Sequence, residues 1–315
     1  MCDKVSIVIV NWNSGDQLFE AIESLNLQKC KLLSSVIIVD NASVDNSLDK
    51  ILSFGGLNSN LKIIRNFENK GFAAACNQGA RFATGKYLLF LNPDAKMYPG
   101  GLRQVLNYMD SPSNATVGIC GVQLIDGLGH VSRSCTRFPS PFEFFFHAVG
   151  LDRIFHRMGH FMNEWAHDTT REVDHLIGAF YFVRRSVFEN LKGFDERFFV
   201  YLEDLDFSYR ARKAGWCSVY LADVKAFHAG GGTSNQVKAR RLFYSLRSRL
   251  LYAFKHFGIL GSTFLLLATI LIEPLSRSVM AIFVSRSWSS LQETWSAYGM
   301  LWRWLLHAFL KSVVR

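Results

Sequence analysis

The sequence predicts an α/β fold, with a mostly parallel central sheet flanked by helices, followed by a C-terminal set of membrane-associated helices. Three observations predict it. Short apolar runs alternate with amphipathic stretches, each run ends in a polar cluster, and the composition turns basic and strongly apolar towards the end of the chain. The runs Val5–Val10 and Val36–Val39 are β-branched and strand-like, and the amphipathic stretch 16–27 between them reads as a helix. Residues 61–64 (LKII) and 87–91 (YLLFL) repeat the strand pattern around the helix-like AAACNQGARFAT. Such alternation implies parallel pairing, because a crossover helix lets successive strands run in one direction.

The 315 residues are 49% hydrophobic, enough for one large core and a smaller second region. The formal charge of +9 resides at one end: residues 238–315 hold eleven Lys or Arg against Glu273 and Glu293, so the first 237 residues are neutral in sum. A basic, apolar and Trp-containing segment suits an anionic membrane surface, where each Lys or Arg gains roughly 1 kcal/mol. Nucleic acid is disfavoured as a partner, because Arg240, Arg241, Arg247 and Arg249 lead into an apolar stretch with no nucleic-acid-binding motif. From about Gly258 the run GILGSTFLLLATILIEPL is interrupted at Glu273 and Pro274, short of the roughly 20 residues a spanning helix needs. Interfacial or re-entrant helices are therefore predicted, with Trp288, Trp295, Trp302 and Trp304 at the headgroup layer. The alternative is a buried helical hairpin. The cysteines (Cys2, Cys30, Cys76, Cys120, Cys135, Cys217) show no metal-ligand or redox spacing, which fits a reducing cytosol, and the first apolar run is too brief for a signal peptide.

In open parallel sheets ligands bind beyond the carboxyl ends of the strands. Here those ends carry Asn11-Trp12-Asn13, Asp40-Asn41-Ala42-Ser43 and Asn92-Pro93-Asp94. Each alone would pass as turn or helix-cap chemistry; three clusters converging on one sheet edge indicate a site. Asp94 is a hard oxygen ligand for a divalent cation that also holds diphosphate oxygens. His228, in KAFHAGGG, is its candidate partner, since imidazole suits Mn²⁺ and the glycines allow close approach to phosphate, although a lone His is more often structural. In GFDERFFVYLEDLDFSYRARKAGW, Glu203, Asp204 and Asp206 crowd against Phe198, Phe199, Tyr201, Leu202 and Phe207, so burial and like charge are expected to raise their pKa values and equip one as a general base. Asp206 with Arg210 at i, i+4 reads instead as an ordinary helix-start ion pair. GARFATGKY has five residues between its glycines and Tyr after Lys, so it is no phosphate loop, and neither GxGxxG after a strand nor GxSxG occurs.

Over residues 4–235 the motifs VSIVIVNWN, VIIVDNASVDNS, NKGFAAACNQGA, YLLFLNPDA, the long GAFYFVRRSVFENLKGFDERFFVYLEDLDFSYRARKAGW and the late His228 come in an order that resembles the inverting glycosyltransferases of family 2. The resemblance implies the GT-A (nucleotide-diphospho-sugar transferase) fold, with 1–237 as catalytic domain and 238–315 as a basic, apolar, membrane-associating helical region. NWN, NxGF and NPD look most like the rhamnosyltransferase branch, which uses dTDP-rhamnose in building O-antigen, capsule or cell-wall glycans. It further implies that Asp40 binds the nucleobase in a pocket lined by Asn11, Trp12 and Asn13, with Asn41 and Ser43 beside it, and that Asn69, Gly71 and Asn77 lie along the ribose and diphosphate. Asp94 corresponds to the last carboxylate of the family's metal motif and His228 to its late histidine, holding Mn²⁺ or Mg²⁺; Asn92 stands where the first Asp would be, supplying an oxygen without charge. Asp204 is the expected base and Glu203 the alternate. Expected partners are a dTDP- or UDP-sugar donor, a polyprenyl-diphosphate-linked glycan acceptor and the membrane surface, at the cytoplasmic face of the plasma membrane, with the protein peripheral or monotopic. A non-catalytic sugar-nucleotide-binding or scaffolding subunit is the alternative. A nucleotidyltransferase would need a glycine-rich, Arg-containing loop where NWNSGDQ stands.

Overall fold

A computed structural model describes residues 5–26, 32–53, 61–153, 155, 158–230 and 237–313. Cys2 and Cys30 lie outside the described residues, and Cys76, Cys120, Cys135 and Cys217 are free thiols. The chain divides into two compact units. The first contains residues 5–138, 161–199 and 203–230 and is an α/β domain.

Its strands are β1 (Val5–Asn11), β2 (Leu33–Asp40), β3 (Leu61–Arg65), β4 (Tyr87–Leu91), β5 (Ala95–Met97), β6 (Val117–Ile125), β7 (Val131–Ser132), β8 (Cys135–Thr136), β9 (Arg171–Val173), β10 (His175–Leu176), β11 (Phe180–Arg184) and β12 (Cys217–His228). Its helices are α1 (Asp16–Asn26), α2 (Ser47–Ser53), α3 (Phe72–Ala80) and α4 (Gly101–Asp110); α5 (Pro141–Val149) belongs to the second unit, and α6 (Arg185–Asn190) and α7 (Glu203–Lys213) complete the first. Among the described residues the main sheet runs β3-β2-β1-β4-β11-β6-β12-β5, with β7 beside β6 and β9 beside β12. The β3-β2-β1-β4 half is parallel, as the strand and helix alternation requires. Antiparallel β11 sits between β4 and β6. Apolar side chains of β1, β2, β4 and β11 are buried on both faces, forming one core under α1 and α4 and another under α3 and α7. Helix α3 lies so close that a Cβ on Gly79 would meet the Val8 side chain.

The second unit takes residues 139–160 and 200–202 as well as the C-terminal helices, and so does not follow a single cut near residue 237. Its helices are α8 (Lys238–His256), α9 (Gly258–Leu267), α10 (Glu273–Val279) and α11 (Trp288–Val313). The added segments join it through tertiary contacts that no local pattern announces. Phe144 of α5 packs edge-on against Tyr252, and Ser248 donates to the Val200 carbonyl at 2.8 Å. Helix α5 starts in a capping box, Ser140 with Glu143, and carries Pro141 in its first turn.

The interruption expected at Glu273 and Pro274 does not break the chain direction. Gly258–Val284 is one helical segment of 27 residues, long and apolar enough by composition to cross a membrane. Pro274 stands in the first turn of α10, directly after a π-helical turn at 268–272, where its missing N–H is tolerated. The Glu273 carboxylate is buried between Arg249 and Arg277, so two of the basic residues counted towards a membrane surface are consumed internally.

Candidate active site

The first cluster forms where β1 and β2 end side by side, with Asn11 in register with Asp40. The buried Asn11 amide donates to Asp40 Oδ1 at 2.8 Å, to Ser43 Oγ at 3.0 Å and to Ser47 Oγ at 2.8 Å, while its own Oδ1 has no hydrogen-bond partner among the described residues. Ser43 Oγ also accepts the Asn13 N–H at 3.0 Å, and Asn13 Oδ1 accepts the Val44 N–H at 2.8 Å, which holds Asn13 at a left-handed φ of 51°. Trp12 beside it is half-buried. The network extends along the sheet edge: Asn41 donates to Asn69 Oδ1 at 2.8 Å and to the Gly71 carbonyl at 3.1 Å, and its Oδ1 accepts from Asn66 and from the Lys70 N–H, both at 3.1 Å. Gly71 has φ 88°, and a Cβ there would overlap the Phe199 carbonyl oxygen, which accepts the Phe72 N–H at 2.6 Å. Glycine is thus required on two counts. Asn77 lies on α3. It donates to the Phe194 carbonyl at 2.8 Å and to Glu196 at 3.0 Å and accepts the Phe194 N–H at 2.9 Å, so its amide ties α3 to the segment preceding α7.

The second cluster forms beyond β4. Antiparallel pairing of β12 with β5 sets His228 opposite Ala95, and the Ala229 N–H donates to the Asp94 carbonyl at 3.1 Å. His228 Nε2 then lies 3.5 Å from Asp94 Oδ1, with both side chains largely buried. Among the described residues no group of three or more His, Cys, Asp or Glu gathers as a metal cage. One carboxylate and one imidazole still fit a cation that takes its remaining ligands from a diphosphate and water, the habit of Mg²⁺ and Mn²⁺ in nucleotide sites.

The third cluster is the start of α7. Glu203 is 4% exposed, its Oε2 lacks a hydrogen-bond partner among the described residues, and burial followed by repulsion from Asp204 pushes its carboxyl well above the usual range. Asp204 behaves oppositely, correcting the expectation that both would be raised. Burial pulls it up, but His175 at 3.4 Å and the N–H groups of Leu205 at 2.8 Å and Gly178 at 2.7 Å outweigh that and hold it below the ordinary aspartate value. Asp206 pairs with Arg210 at 2.8 Å, the ordinary helix ion pair, and Arg210 also donates to the Leu191 and Gly193 carbonyls. The second and third clusters share one corner of the sheet. Asn92 N–H donates to the Ala179 carbonyl at 3.0 Å, two residues before Asp94 and one after the Gly178 that holds Asp204.

A family model described as glycosyl transferase family 2 matches residues 6–191, more than half of the chain. The chain belongs to glycosyl transferase family 2. Among relatives of this glycosyltransferase, the N-acetylglucosaminyl-diphospho-decaprenol L-rhamnosyltransferase of Mycobacterium tuberculosis is 28% identical over 273 residues, 82% of this chain and 87% of the relative. The rhamnosyltransferase WbbL of Escherichia coli is 29% identical over 230 residues, 72% of this chain and 78% of the relative. A mannosyltransferase from Pyrobaculum calidifontis, solved with GDP-Man and Mn²⁺, superposes with TM-score 0.56 at 18% identity, covering 96% of this chain and 89% of that one. TarS of S. aureus does so with TM-score 0.51 at 14% identity, over 95% and 91%. These two likenesses establish the GT-A fold.

In this glycosyltransferase the strand-end residues expected from sequence lie at the carboxyl edge: Asn11, Asp40, Asn41 and Ser43 are interlinked, Asn69 and Gly71 adjoin them, and Asn92 and Asp94 follow β4. Sequence reasoning passed over Ser47 and Asn66, although each sits within a quoted or neighbouring polar cluster. It also passed over Gly178 and His175. Gly178 stands before a strand and offered a hint; His175 offered none.

Proposed function

We propose that this chain is an inverting rhamnosyltransferase that transfers from dTDP-rhamnose onto a lipid-linked acceptor in cell-surface glycan synthesis. The observation that carries the reading is the gathering of Asp94 with His228, 3.5 Å apart, and of Asp204, through Gly178, at the corner where β4 and β11 meet. The rhamnosyltransferase relatives support the donor, and the decaprenol-linked substrate in the name of one supports the acceptor.

The nucleobase lies against Asp40, whose Oδ1 is held from beneath by the buried Asn11 amide at 2.8 Å. Trp12 and Asn13 line the same pocket, and Asn69 and Gly71 lie along the ribose and diphosphate. Asp94 and His228 would hold Mn²⁺ or Mg²⁺, which when bound neutralises charge on the departing diphosphate. Asp204 takes the proton of the acceptor hydroxyl, and that oxygen attacks the anomeric carbon from the face opposite the leaving group, inverting it. Glu203 is the weaker candidate base because burial keeps it protonated and out of reach of an acceptor. The apolar, basic C-terminal helices attach the chain to the membrane that carries the acceptor.

The test is thermal stability of the purified protein with dTDP, UDP or GDP, each with Mn²⁺ and with EDTA. At a hundred times Kd a ligand adds about 2.7 kcal/mol of stability. A metal-dependent shift largest with dTDP is expected; no shift with any nucleotide, in folded protein, would favour a scaffolding subunit.

A further inference from the structure

We propose that His175 is a positioning residue for Asp204: its imidazole, braced from behind by Thr136, holds the carboxylate in place to meet the acceptor hydroxyl. The inference rests on the reading of Asp204 as the base.

The chain of contacts is short and buried. Thr136 and His175 are partners in the two-stranded antiparallel ladder of β8 and β10, so backbone pairing sets their side chains on one face. Thr136 Oγ1 lies 2.8 Å from His175 Nδ1, and His175 Nε2 lies 3.4 Å from Asp204 Oδ1. Thr136 is 3% and His175 5% exposed, whereas the Asp204 side chain keeps 14%. The accessible end of this hydroxyl–imidazole–carboxylate series is therefore the carboxylate.

Proton placement follows from the geometry. If Nδ1 carried the sole ring proton and gave it to Thr136, a bare Nε2 lone pair would face a carboxylate oxygen and be repelled. With the Thr136 hydroxyl donating to Nδ1, or with the ring doubly protonated, Nε2 carries an N–H within 3.4 Å of Asp204 Oδ1, a close polar contact outside regular hydrogen-bond geometry. Both acceptable states place a donor beside the carboxylate. Leu205 and His175 face Oδ1 and Gly178 faces Oδ2, so the lone-pair site left for the acceptor hydroxyl is on Oδ2. On transfer the acceptor O–H bond breaks and a carboxyl O–H forms on Asp204, while the freed electron pair forms the new bond to the anomeric carbon and the bond to the diphosphate breaks.

Other ionisable groups facing the pair do not compete with it. Glu203 on α7, Cys76 on α3 and Tyr181 on β11 are each raised by burial, Cys135 on β8 is pushed up to about 12, and Asp206 is paired with Arg210. Asp174, next to His175, lies 3.6 Å from Arg212.

The first arm follows the Asp204 carboxyl by ¹³C NMR of aspartate-labelled protein. His175→Phe should raise the titration midpoint of Asp204, because the imidazole is among the groups that hold that carboxyl low. The second arm is kinetic. His175→Phe should reduce kcat by about tenfold to a hundredfold, as expected for a displaced catalytic group, leave the donor KM within about twofold, and move the acid limb of the kcat profile to higher pH. His175→Gln, whose amide N–H reaches towards the position of Nε2, should restore most of kcat. An Asp204 carboxyl that titrates identically in wild type and folded His175→Phe, or wild-type kcat and acid limb in that variant, would overturn the proposal. A wild type that transfers from no sugar nucleotide, with the Asp204 midpoint still raised by His175→Phe, would sink the glycosyl-transfer reading while upholding the pairing.

Discussion

At the residue scale, two adjacent carboxylates on one helix turn are driven apart by what surrounds them. Glu203 is buried, with its Oε2 unpaired among the described residues, and Asp204 faces an imidazole and two backbone N–H groups. Asp204→Asn should abolish transfer in a single-turnover assay while sparing nucleotide binding. The pH dependence of stability has opposite signs at the two positions. A depressed Asp204 stabilises the fold above the ordinary aspartate value, and this is lost as pH falls through the depressed one. A raised Glu203 favours the fold below the ordinary glutamate value, and this is lost as pH rises through the raised one. Glu203→Gln should therefore gain stability over wild type as pH increases, in urea titrations across that window; a difference that shrinks with pH would show that Glu203 is not buried as described. Gly71→Ala places a side chain at a left-handed φ and into the Phe199 carbonyl, so it should cost at least about 1–3 kcal/mol and weaken nucleotide binding. Asp40, Asp94 and His228 were legible because residues just after apolar runs, and a late His, carry positional meaning. The lowered Asp204 was not, because its cause, His175, is 29 positions away in sequence.

At the element scale, the alternating pattern up to β4 was readable because each strand and helix is a contiguous segment with its own periodicity; β2 pairs its sequence neighbours β1 and β3, while β4 crosses back to pair with β1. The antiparallel insertion of β11 was not, since a strand buried on both faces reads the same in either direction. Between β7 and β9, where the sequence shows no clear alternation, Ser140-Pro141-Phe142-Glu143 is still a capping-box signal that announces α5. Ser140→Ala should cost about 1 kcal/mol, read from the urea midpoint. In the C-terminal helices, Glu273 satisfies Arg249 and Arg277, and Arg249 also donates to Thr269 at 3.0 Å. Glu273→Ala strands the buried Arg249 guanidinium and takes the partner from the partly exposed Arg277, and should destabilise this unit by about 3–5 kcal/mol; a loss under about 1 kcal/mol would mean that water reaches the triad.

At the scale of the whole molecule, the second unit leaves many large apolar side chains in solvent, among them Ile259 at 81%, Leu260 at 85%, Phe283 at 71% and Trp288 at 77% exposure. Patches of that extent on a monomer mark an interaction surface. With Arg240, Arg241 and Arg286 on the same unit, the chain should co-sediment with vesicles containing anionic lipid, and rising salt should release only part of it. Screening removes the ionic part over a Debye length of about 10 Å at 0.1 M and leaves apolar insertion intact. Complete release by salt would argue that the apolar helices do not enter the bilayer.

The sequence by itself determined the α/β class, the polar carboxyl edge that holds Asp40 and Asp94, and the separate basic, apolar character of the C-terminal helices, because periodicity, strand-end position and composition are local properties. Only the tertiary structure decided that His228 meets Asp94, that His175 with the Leu205 and Gly178 N–H groups outweighs burial at Asp204, that residues 139–160 join the C-terminal helices, and that Glu273 is neutralised within them. Each of these depends on a pairing between residues distant in sequence, and the energy of a charge is set by neighbours that only the folded chain brings to it.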